Sequence, residues 1–424
     1  MAIGSIRHNW NLLTWSLAAI SASSRFVPTT QAYHHFQRPF INNKIHYSRR
    51  SRGTSSSTMV SSTSTSSTTK STASATKLYK FVDIGANLLD ERYTDGIYYG
   101  KKRHESDFDS VLDRAIEYGV THIILTAGTV QESKKALTVV REYRKKLGAA
   151  KNLFIGCTIG IHPTRCQQEF IDNLIVDDDN DEDDNGNKKQ QQQQQAGRTA
   201  DDVLNELYEI AKDGITDGCV VAIGEIGLDY DRLEFTSKTI QNEFLKRQLE
   251  IFLHNHDDGN NDVSSLPLFL HNRSVGRDLL QILQQYYPNK REIKGVVHSF
   301  DDKLELALEF IDLGLYIGLN GCSLKTQQNL DTVKQIPLSS ILLETDCPYC
   351  EIKPTHAGYQ YIQTTFAGMK KVDKKFELGK QVKGRNEPCQ IIQIAEVIAG
   401  VKDIPLEDVV NTCYENSMKL YQFQ

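Results

Sequence analysis

The chain has 424 residues, with 39% hydrophobic and 24% charged residues and a formal net charge of −5. This length suits one large α/β domain with appendages. The longest early apolar run, residues 12–20, is too short to cross a bilayer, which argues against stable membrane insertion. The eight cysteines are scattered rather than arranged as a disulfide framework, and they indicate a reducing compartment.

The charge is distributed unevenly along the chain. Residues 1–80 contain ten basic and no acidic residues, whereas the remainder carries a net charge of −15. A basic leader rich in Ser and Thr is typical of an organelle transit peptide. We therefore expect residues 1–77 to be a disordered leader directing the chain to a mitochondrion or plastid. The alternative is an uninformative tail, which would leave a cytoplasmic or nuclear protein.

From residue 78 onward, short apolar runs alternate with segments of helical periodicity. Eight such repeats predict a parallel sheet that closes into a (β/α)8 TIM-like barrel over residues 78–424, with a doubly wound sheet as the alternative. The predicted strands are 81–88, 121–127, 154–162, 220–228, 267–271, 295–300, 316–321 and 341–346. The predicted helices are 109–118, 132–146, 201–212, 239–255, 275–285, 303–313 and 327–335.

One segment interrupts this alternation at about residues 177–198. It is an acidic run followed by six consecutive glutamines, and such a composition cannot bury a core. We expect a disordered, solvated insertion between the third strand and its helix.

Four residues with acidic or imidazole side chains come at or near the ends of apolar runs: Glu225, His271, His298 and Asp346. The ends of parallel strands converge at one mouth of a barrel, and carboxylate with imidazole is a ligand set for a divalent cation. These four residues are therefore the predicted metal ligands. Taken singly, three of them have a structural alternative. Glu225 could pair with Arg273, and either histidine could be a core residue.

Two further strand ends face the same predicted mouth. His162, followed by a proline, could bind metal, contact a phosphate oxygen or transfer a proton; the alternative is turn packing. The first strand ends in Asp83-Ile84-Gly85-Ala86-Asn87, where a metal-dependent hydrolase would often carry His-x-His. Gly85 has no side chain with which to bind metal, so one metal subsite should be weakened or moved.

The tetrapeptide Cys347-Pro348-Tyr349-Cys350 matches the active-site motif of glutaredoxins. In those proteins the first cysteine is activated at a helix N-terminus. Pro354 would interrupt a helix beginning here, and the motif comes late in the chain. We interpret the match as coincidental, and dithiol redox chemistry stays an alternative.

Together these motifs resemble the TatD family of metal-dependent deoxyribonucleases, over roughly residues 78–424. The match rests on the first-strand motif, on Gly160-Ile161-His162-Pro163, on the segment 224–233, on His271-Asn272-Arg273 and on Glu344-Thr345-Asp346. The resemblance implies a barrel of the metal-dependent hydrolase type with one or two divalent cations. By motif position, Glu225 would contact both metals, His271 and His298 one, and Asp346 the other.

The resemblance also implies hydrolysis of phosphodiester bonds, commonly as a 3′→5′ exonuclease. The expected partner is DNA, or RNA, bound without sequence preference, and the metal is Mg²⁺, Mn²⁺ or Zn²⁺. We expect Asp346, His162 and Glu225 to take part in catalysis. The expected substrate-binding residues are Arg273, Lys325, Asn87 and Arg232. Two other functions stay open: an amidohydrolase acting on a small-molecule amide or lactone, and a catalytically silent scaffold.

Overall fold

The computed structural model describes residues 79–147, 152–172, 198–254, 262–288, 293–366, 368–369 and 376–423. The expected leader at 1–77 and the expected insertion, up to residue 197, lie outside the described residues.

Eight parallel strands form one sheet in sequential order, and each pairs with the next along the chain. Two further strands, β2 and β3, form a small antiparallel hairpin. The strands are β1 Phe81–Ala86, β2 Ile97–Tyr98, β3 Lys101–Lys102, β4 Val120–Leu125, β5 Phe154–Ile159, β6 Val220–Asp229, β7 Leu268–Arg273, β8 Gly295–His298, β9 Tyr316–Leu319 and β10 Ile341–Leu343.

The sheet closes between its first and last strands. Ala86 forms a parallel bridge with Cys347, and the amides of Asn87 and Asp346 donate hydrogen bonds to the carbonyls of Cys347 and Gly85, each at 2.8 Å. The predicted (β/α)8 barrel is therefore confirmed, and the doubly wound alternative is wrong. This seam also places Asn87, which follows β1, and Glu344, which follows β10, at the same mouth of the barrel.

Helices follow most of the barrel strands. The helices are α1 Glu91–Thr94, α2 Phe108–Glu117, α3 Val130–Leu147, α4 Cys166–Phe170, α5 Ala200–Thr216, α6 Lys238–His254, α7 Asp278–Tyr286, α8 Leu304–Asp312, α9 Gln327–Gln335, α10 Ile391–Lys402 and α11 Leu406–Tyr421. Short 3-10 turns span Pro163–Arg165, Val263–Ser265, Cys322–Leu324, Leu338–Ser340, Ala357–Tyr361 and Pro388–Gln390.

Side-chain chemistry fixes several helix starts. Thr199 and Thr326 each form a capping box at the start of α5 and α9, in which the threonine hydroxyl accepts from a backbone amide three residues on. In α5 the reciprocal bond comes from the Thr199 amide to Asp202. These caps set where the loops from the barrel mouth end and the helices begin.

The apolar residues divide into two layers. Inward-facing strand residues form a cluster inside the barrel, which Leu420 and Tyr421 of α11 join. A larger cluster fills the space between the strands and the surrounding helices. Burial of these faces is the main stabilising contribution to the fold, and it leaves the carboxyl ends of the strands free to carry polar side chains.

Among the described helices, none has the length and apolar character needed to cross a bilayer.

Candidate metal centre

Three imidazoles converge on a single carboxylate oxygen. Glu225 Oε1 lies 2.6 Å from Nδ1 of His271, 2.7 Å from Nε2 of His298 and 3.3 Å from Nε2 of His162. The four side chains are 5–15% exposed, and they come from β6, β7, β8 and the turn after β5. One carboxylate oxygen thus has three nitrogen neighbours in a nearly closed pocket.

The backbone of β6 differs from the expected strand end. Glu225 lies within β6, which continues to Asp229, and the pairing with β7 shifts register between Ile223 and Ile226. The Gly224–Glu225 peptide bond is cis. Gly227 then pairs with His271, and a Cβ at Gly227 would lie only 2.1 Å from the His271 carbonyl oxygen. Close approach of the two strands at this level requires glycine.

Buried carboxylates stand behind two of the imidazoles. Nε2 of His271 lies 3.3 Å from Asp229 Oδ2, and Nδ1 of His298 lies 3.6 Å from Glu344 Oε2. Both carboxylates have side chains that are 0% exposed. A carboxylate behind a ligating histidine fixes the ring orientation and raises its basicity.

Glu344 is held by its other oxygen. Its Oε1 accepts from the Ser299 amide at 2.5 Å and from Asn320 Nδ2 at 3.1 Å. The carboxylate also fills the space beside Gly85, where a Cβ would lie 3.1 Å from Glu344 Oε2 and 3.1 Å from the Phe269 ring. A histidine at position 85 would therefore clash with Glu344 and Phe269.

Burial and the neighbouring charges shift the pKa values of these side chains in opposite directions. Burial alone raises the pKa of Glu225, but the charges of His298 and His162 and hydrogen bonds from the imidazoles hold that pKa well below its usual range. Burial lowers the pKa of His298, yet Glu225 and Glu344 raise it well above its usual value. Burial dominates at His162 and lowers its pKa. The cluster therefore holds imidazole nitrogens against an ionised carboxylate.

This donor set fits a divalent cation. The ligand atoms of His162, Glu225 and His271 lie within 4.8 Å of one another. Two polar atoms in the pocket, His271 Nε2 and Asp229 Oδ2, are buried without a hydrogen-bond partner that meets ordinary geometry. Nitrogen and carboxylate oxygen donors suit Zn²⁺ or Mn²⁺, and the carboxylates also suit Mg²⁺.

Asp346 lies beside this cluster rather than in it. Its Oδ1 accepts from Asn87 Nδ2 at 2.8 Å and its Oδ2 accepts from the Cys350 thiol at 3.1 Å. Asn87 is held in turn by a 2.6 Å hydrogen bond from the Thr126 hydroxyl. Burial raises the pKa of Asp346 to about 6, with the charge of His298 opposing the shift. Asn87 thus orients Asp346, and its expected role in substrate binding stays a prediction.

Of the three basic side chains expected to bind substrate, two lie beside acidic residues and the third is exposed to solvent. Arg273 pairs with Asp231 at 3.0 Å rather than with Glu225, and Arg232 lies 3.5 Å from Asp229. Lys325 is exposed after the turn Cys322–Leu324. Of the two cysteines in the glutaredoxin-like motif, Cys347 is buried, and Cys350 contacts Cys322 instead.

Sequence reasoning missed Asp229, Glu344 and Tyr349. Asp229 follows Glu225 by four residues and Glu344 precedes Asp346 by two, so strand alternation could have placed each on the same face as its neighbour. Tyr349 is 51% exposed at the mouth, with the Arg92 guanidinium 4.6 Å from its ring centre. It lies within the glutaredoxin-like tetrapeptide, but that motif concerns the two cysteines and not the ring between them.

A closed parallel barrel with imidazoles and carboxylates gathered at the carboxyl ends of its strands defines the class of metal-dependent hydrolases. Within that class, the profile of the TatD-related DNases matches residues 82–422. The chain belongs to this family, whose members hydrolyse phosphodiester bonds.

Similar proteins agree with this assignment. A curated relative from Schizosaccharomyces pombe, named deoxyribonuclease Tat-D, is 37% identical over 81% of this chain and 96% of its own length. A crystal structure of a TatD-family hydrolase from Entamoeba histolytica matches 82% of this chain and 99% of its own, with 36% identity and a TM-score of 0.65. A structure from Saccharomyces cerevisiae, titled an uncharacterised amidohydrolase, matches 81% of this chain and 100% of its own, with 31% identity and a TM-score of 0.66.

Proposed function

We propose that this chain is a divalent-metal-dependent deoxyribonuclease that removes nucleotides from the 3′ end of single-stranded DNA, with RNA as a second substrate to test. The observation that carries the proposal is the convergence of three imidazoles on Glu225 Oε1 in a nearly closed pocket. The S. pombe relative that is named a deoxyribonuclease supports the choice of substrate.

We assign one or two divalent cations to the pocket. Glu225, His271 and His298 would hold a cation, with His162 beside them, and Asp346 would serve a second position. Asp229 and Glu344 orient two of the imidazoles from behind. A divalent cation in such a pocket supplies a water of lowered pKa and polarises a phosphoryl oxygen.

Side chains of the pocket can accept the proton that an attacking water releases. Asp346, whose pKa lies at about 6, is ionised at neutral pH and can accept a proton from an attacking water. Its orientation is set by Asn87 on one oxygen and Cys350 on the other. His162 has a lowered pKa because of burial, so its neutral ring can bind metal or accept a proton.

Substrate contacts are assigned to cations and one aromatic ring around the mouth. Arg232, Arg273 and Lys325 would neutralise phosphate oxygens, as we expected from the sequence. Tyr349 offers an exposed ring three residues after Asp346. Stacking of a nucleobase on an aromatic ring is tolerant of sequence, which suits an exonuclease.

A nuclease assay with end-labelled DNA tests this function. Single-stranded DNA labelled at the 5′ or 3′ end is incubated with Mg²⁺, Mn²⁺ or Zn²⁺, and the products are separated by length. A 3′→5′ exonuclease shortens the 5′-labelled strand in single-nucleotide steps and releases the 3′ label at once as a mononucleotide. Endonuclease cuts in the interior of both substrates would contradict the polarity.

Variants connect the activity to the pocket. Glu225→Gln keeps the shape but removes the charge that faces three imidazoles, so we expect the rate to fall by at least about 100-fold. Glu234→Gln, in an exposed position on the loop after β6, is the matched control and should leave the rate unchanged. Full activity in Glu225→Gln would refute the assigned site.

The amidohydrolase alternative has its own test. The S. cerevisiae structure is named an amidohydrolase, and a metal pocket of this kind also suits an amide or lactone. A panel of dihydropyrimidine amides, lactones and phosphodiesters, each with the same metals, separates the two. Turnover of an amide or lactone without turnover of DNA would overturn the nuclease proposal.

A further inference from the structure

Two of the eight cysteines differ from the rest in exposure. Cys322 and Cys350 are partly exposed, whereas the other six are buried. Reagents in solvent therefore reach these two thiols first. Both lie at the barrel mouth: Cys322 follows β9 and Cys350 follows β10.

The two thiols are in contact although 28 residues separate them in the chain. Their sulfur atoms lie 2.8 Å apart. The backbones also meet, because a Cβ on Gly321 would lie 1.9 Å from the carbonyl oxygen of Cys350. The S–S bond of a disulfide is about 2.0 Å long, so these two sulfur atoms need to approach by less than about 1 Å to form it.

The pair also touches the candidate metal centre. The thiol of Cys350 donates to Asp346 Oδ2 at 3.1 Å, so a change at the sulfur is transmitted to the carboxylate. Asp346 and Cys350 both have left-handed backbone conformations, with φ of 51° and 54°. Non-glycine residues in this region are strained, and they persist where the surroundings hold them in place.

We propose that Cys322 and Cys350 form an oxidation site, at which hydrogen peroxide produces an intramolecular disulfide that lowers the activity of the neighbouring metal centre.

The chemistry has two steps. The Cys322 thiolate attacks one oxygen of hydrogen peroxide, which breaks the O–O bond, releases hydroxide and leaves a sulfenic acid. The Cys350 sulfur then attacks the sulfenic sulfur, the S–S bond forms, and the S–O bond breaks to release water. Overall, two thiols and one peroxide yield one disulfide and two waters. Dithiothreitol reverses the reaction.

The order of attack follows from the surroundings of each thiol. The proton of Cys350 is engaged with Asp346, whereas the pKa of Cys322 is lowered, chiefly by its contact with the Cys350 sulfur, and burial only partly opposes this. The thiolate is the nucleophilic form of cysteine, so Cys322 is the attacking group and Cys350 the resolving one. The pairing excludes Cys347, whose side chain is buried despite its place in the glutaredoxin-like tetrapeptide.

The effect on activity rests on the proposed function. A disulfide removes the proton that Cys350 donates to Asp346 and ties the loop after β10 to the loop after β9. Loss of a hydrogen bond that orients a residue of a metal centre typically costs about tenfold in activity. We therefore expect the oxidised protein to cleave DNA about tenfold more slowly.

Mass spectrometry of the full-length chain is the primary test. The Mg²⁺-supplemented protein is treated with a small excess of hydrogen peroxide, and the intact mass should fall by about 2 Da, the two hydrogens lost. Thiols counted after denaturation should fall from eight to six. Peptide mapping without reduction should find Cys322 linked to Cys350. These results do not depend on nuclease activity.

A variant then connects the disulfide to activity. Cys322→Ser should cleave DNA at the rate of the reduced natural chain, and peroxide should not lower that rate. Peroxide should lower the cleavage rate of the natural chain, and dithiothreitol should restore it. A cross-link formed while the reduced protein lacks nuclease activity would refute the proposed function and leave the oxidation site standing.

Several outcomes would overturn the oxidation site itself. They are eight surviving thiols, a disulfide that includes Cys347, a dimer on a non-reducing gel, or a gain of oxygen without a cross-link. A cross-link that leaves DNA cleavage unchanged would overturn its regulatory effect.

Discussion

Glu225 shows how a single buried carboxylate organises this site. An ionised group with a side chain only 12% exposed is unfavourable unless its charge is compensated. Here three imidazoles provide partners, and a divalent cation would replace the protons they carry. The same residue alone, read from the sequence, was equally compatible with an ion pair to Arg273, and only its neighbours in space distinguish the two.

Asp83 makes a separate contribution at the seam of the barrel. It is fully buried, and it accepts from the Thr345 amide at 2.9 Å and bonds the Thr345 hydroxyl at 2.6 Å. Thr345 precedes Asp346, so Asp83 holds the end of β10 in place. Burial, opposed by these hydrogen bonds, raises the pKa of Asp83 to about 7.

This shift predicts how stability depends on pH. Between the unfolded pKa of 3.8 and about 7, the native protein keeps a proton on Asp83 that the unfolded chain has lost. The free energy of unfolding from this group should therefore decrease as pH rises, by about 1 kcal/mol per pH unit. Urea unfolding of the metal-free protein at about pH 5 and about pH 7 measures it.

Two variants isolate the Asp83 contribution. Asp83→Asn cannot ionise and can keep both contacts with Thr345, so its stability should change less between the two pH values. Asp403→Asn, at an exposed position, should keep the natural slope. Equal slopes for the natural chain and Asp83→Asn would show that Asp83 does not keep its proton.

At the scale of elements, the strands were predictable and the last two helices were not. Apolar runs such as 220–228 and 341–346 were bounded by glycine or polar residues, which made the eight-fold alternation visible. Helix α10 is buried at nine of its twelve positions, so it lacks the polar face by which a helix is recognised. Helix α11 lies under the barrel interior, and its position depends on contacts far away in sequence.

The site was predictable where residues follow strands and less so where loops bring them together. His162, Glu225, His271 and His298 share a mouth because a barrel places successive strand ends there. Glu344 is different: it fills the space that Gly85 leaves, and this pairing joins the first strand to the last. Alternation with Asp346 could place Glu344 on the inner face, but nothing local in the sequence indicates that it fills the space beside Gly85.

Gly227 lies where β6 and β7 approach each other closely, and its substitution tests whether that approach is required. A methyl group there would lie 2.1 Å from the carbonyl oxygen of His271, and φ is +146°. Gly227→Ala should therefore separate β6 from β7 at the level of His271 and destabilise the fold by roughly 2–4 kcal/mol. Metal affinity, measured by calorimetry on folded protein, should fall with it.

Gly276→Ala is the matched control for this clash. Its φ of +62° makes alanine unfavourable too, but no atom lies within 4 Å of the added methyl group. A loss of about 1 kcal/mol with unchanged metal affinity is expected there. If Gly227→Ala matched this control in both measurements, close strand approach would not be required.

At the scale of the whole molecule, the net charge has the opposite sign to that usually found in proteins that bind DNA. Residues 81–424 carry a net charge of −15, whereas proteins that bind DNA usually present a basic surface. The cations assigned to substrate are few, and Arg232 and Arg273 lie beside carboxylates. Binding of DNA should therefore be weak and should depend on a small number of phosphate contacts.

Salt dependence measures that number. Each phosphate contact on a single strand contributes a slope of about −0.7 to the logarithm of affinity against the logarithm of salt concentration. Lys325→Gln removes one assigned contact, so the slope should become shallower by about 0.7, to the same extent for unrelated sequences. Fluorescence anisotropy with labelled single-stranded DNA, in EDTA to prevent cleavage, gives both slopes.

Lys145→Gln serves as the control for this measurement because it changes the net charge equally at the other end of the barrel. Lys145 is exposed in the last turn of α3, beside Arg144, which bonds the carbonyl of Ile155 near the start of β5. If phosphate contacts are made at the mouth, Lys145→Gln leaves the slope unchanged. Equal changes in both variants would mean that DNA responds to overall charge rather than to Lys325, and affinity that is insensitive to salt would exclude phosphate contacts as its source.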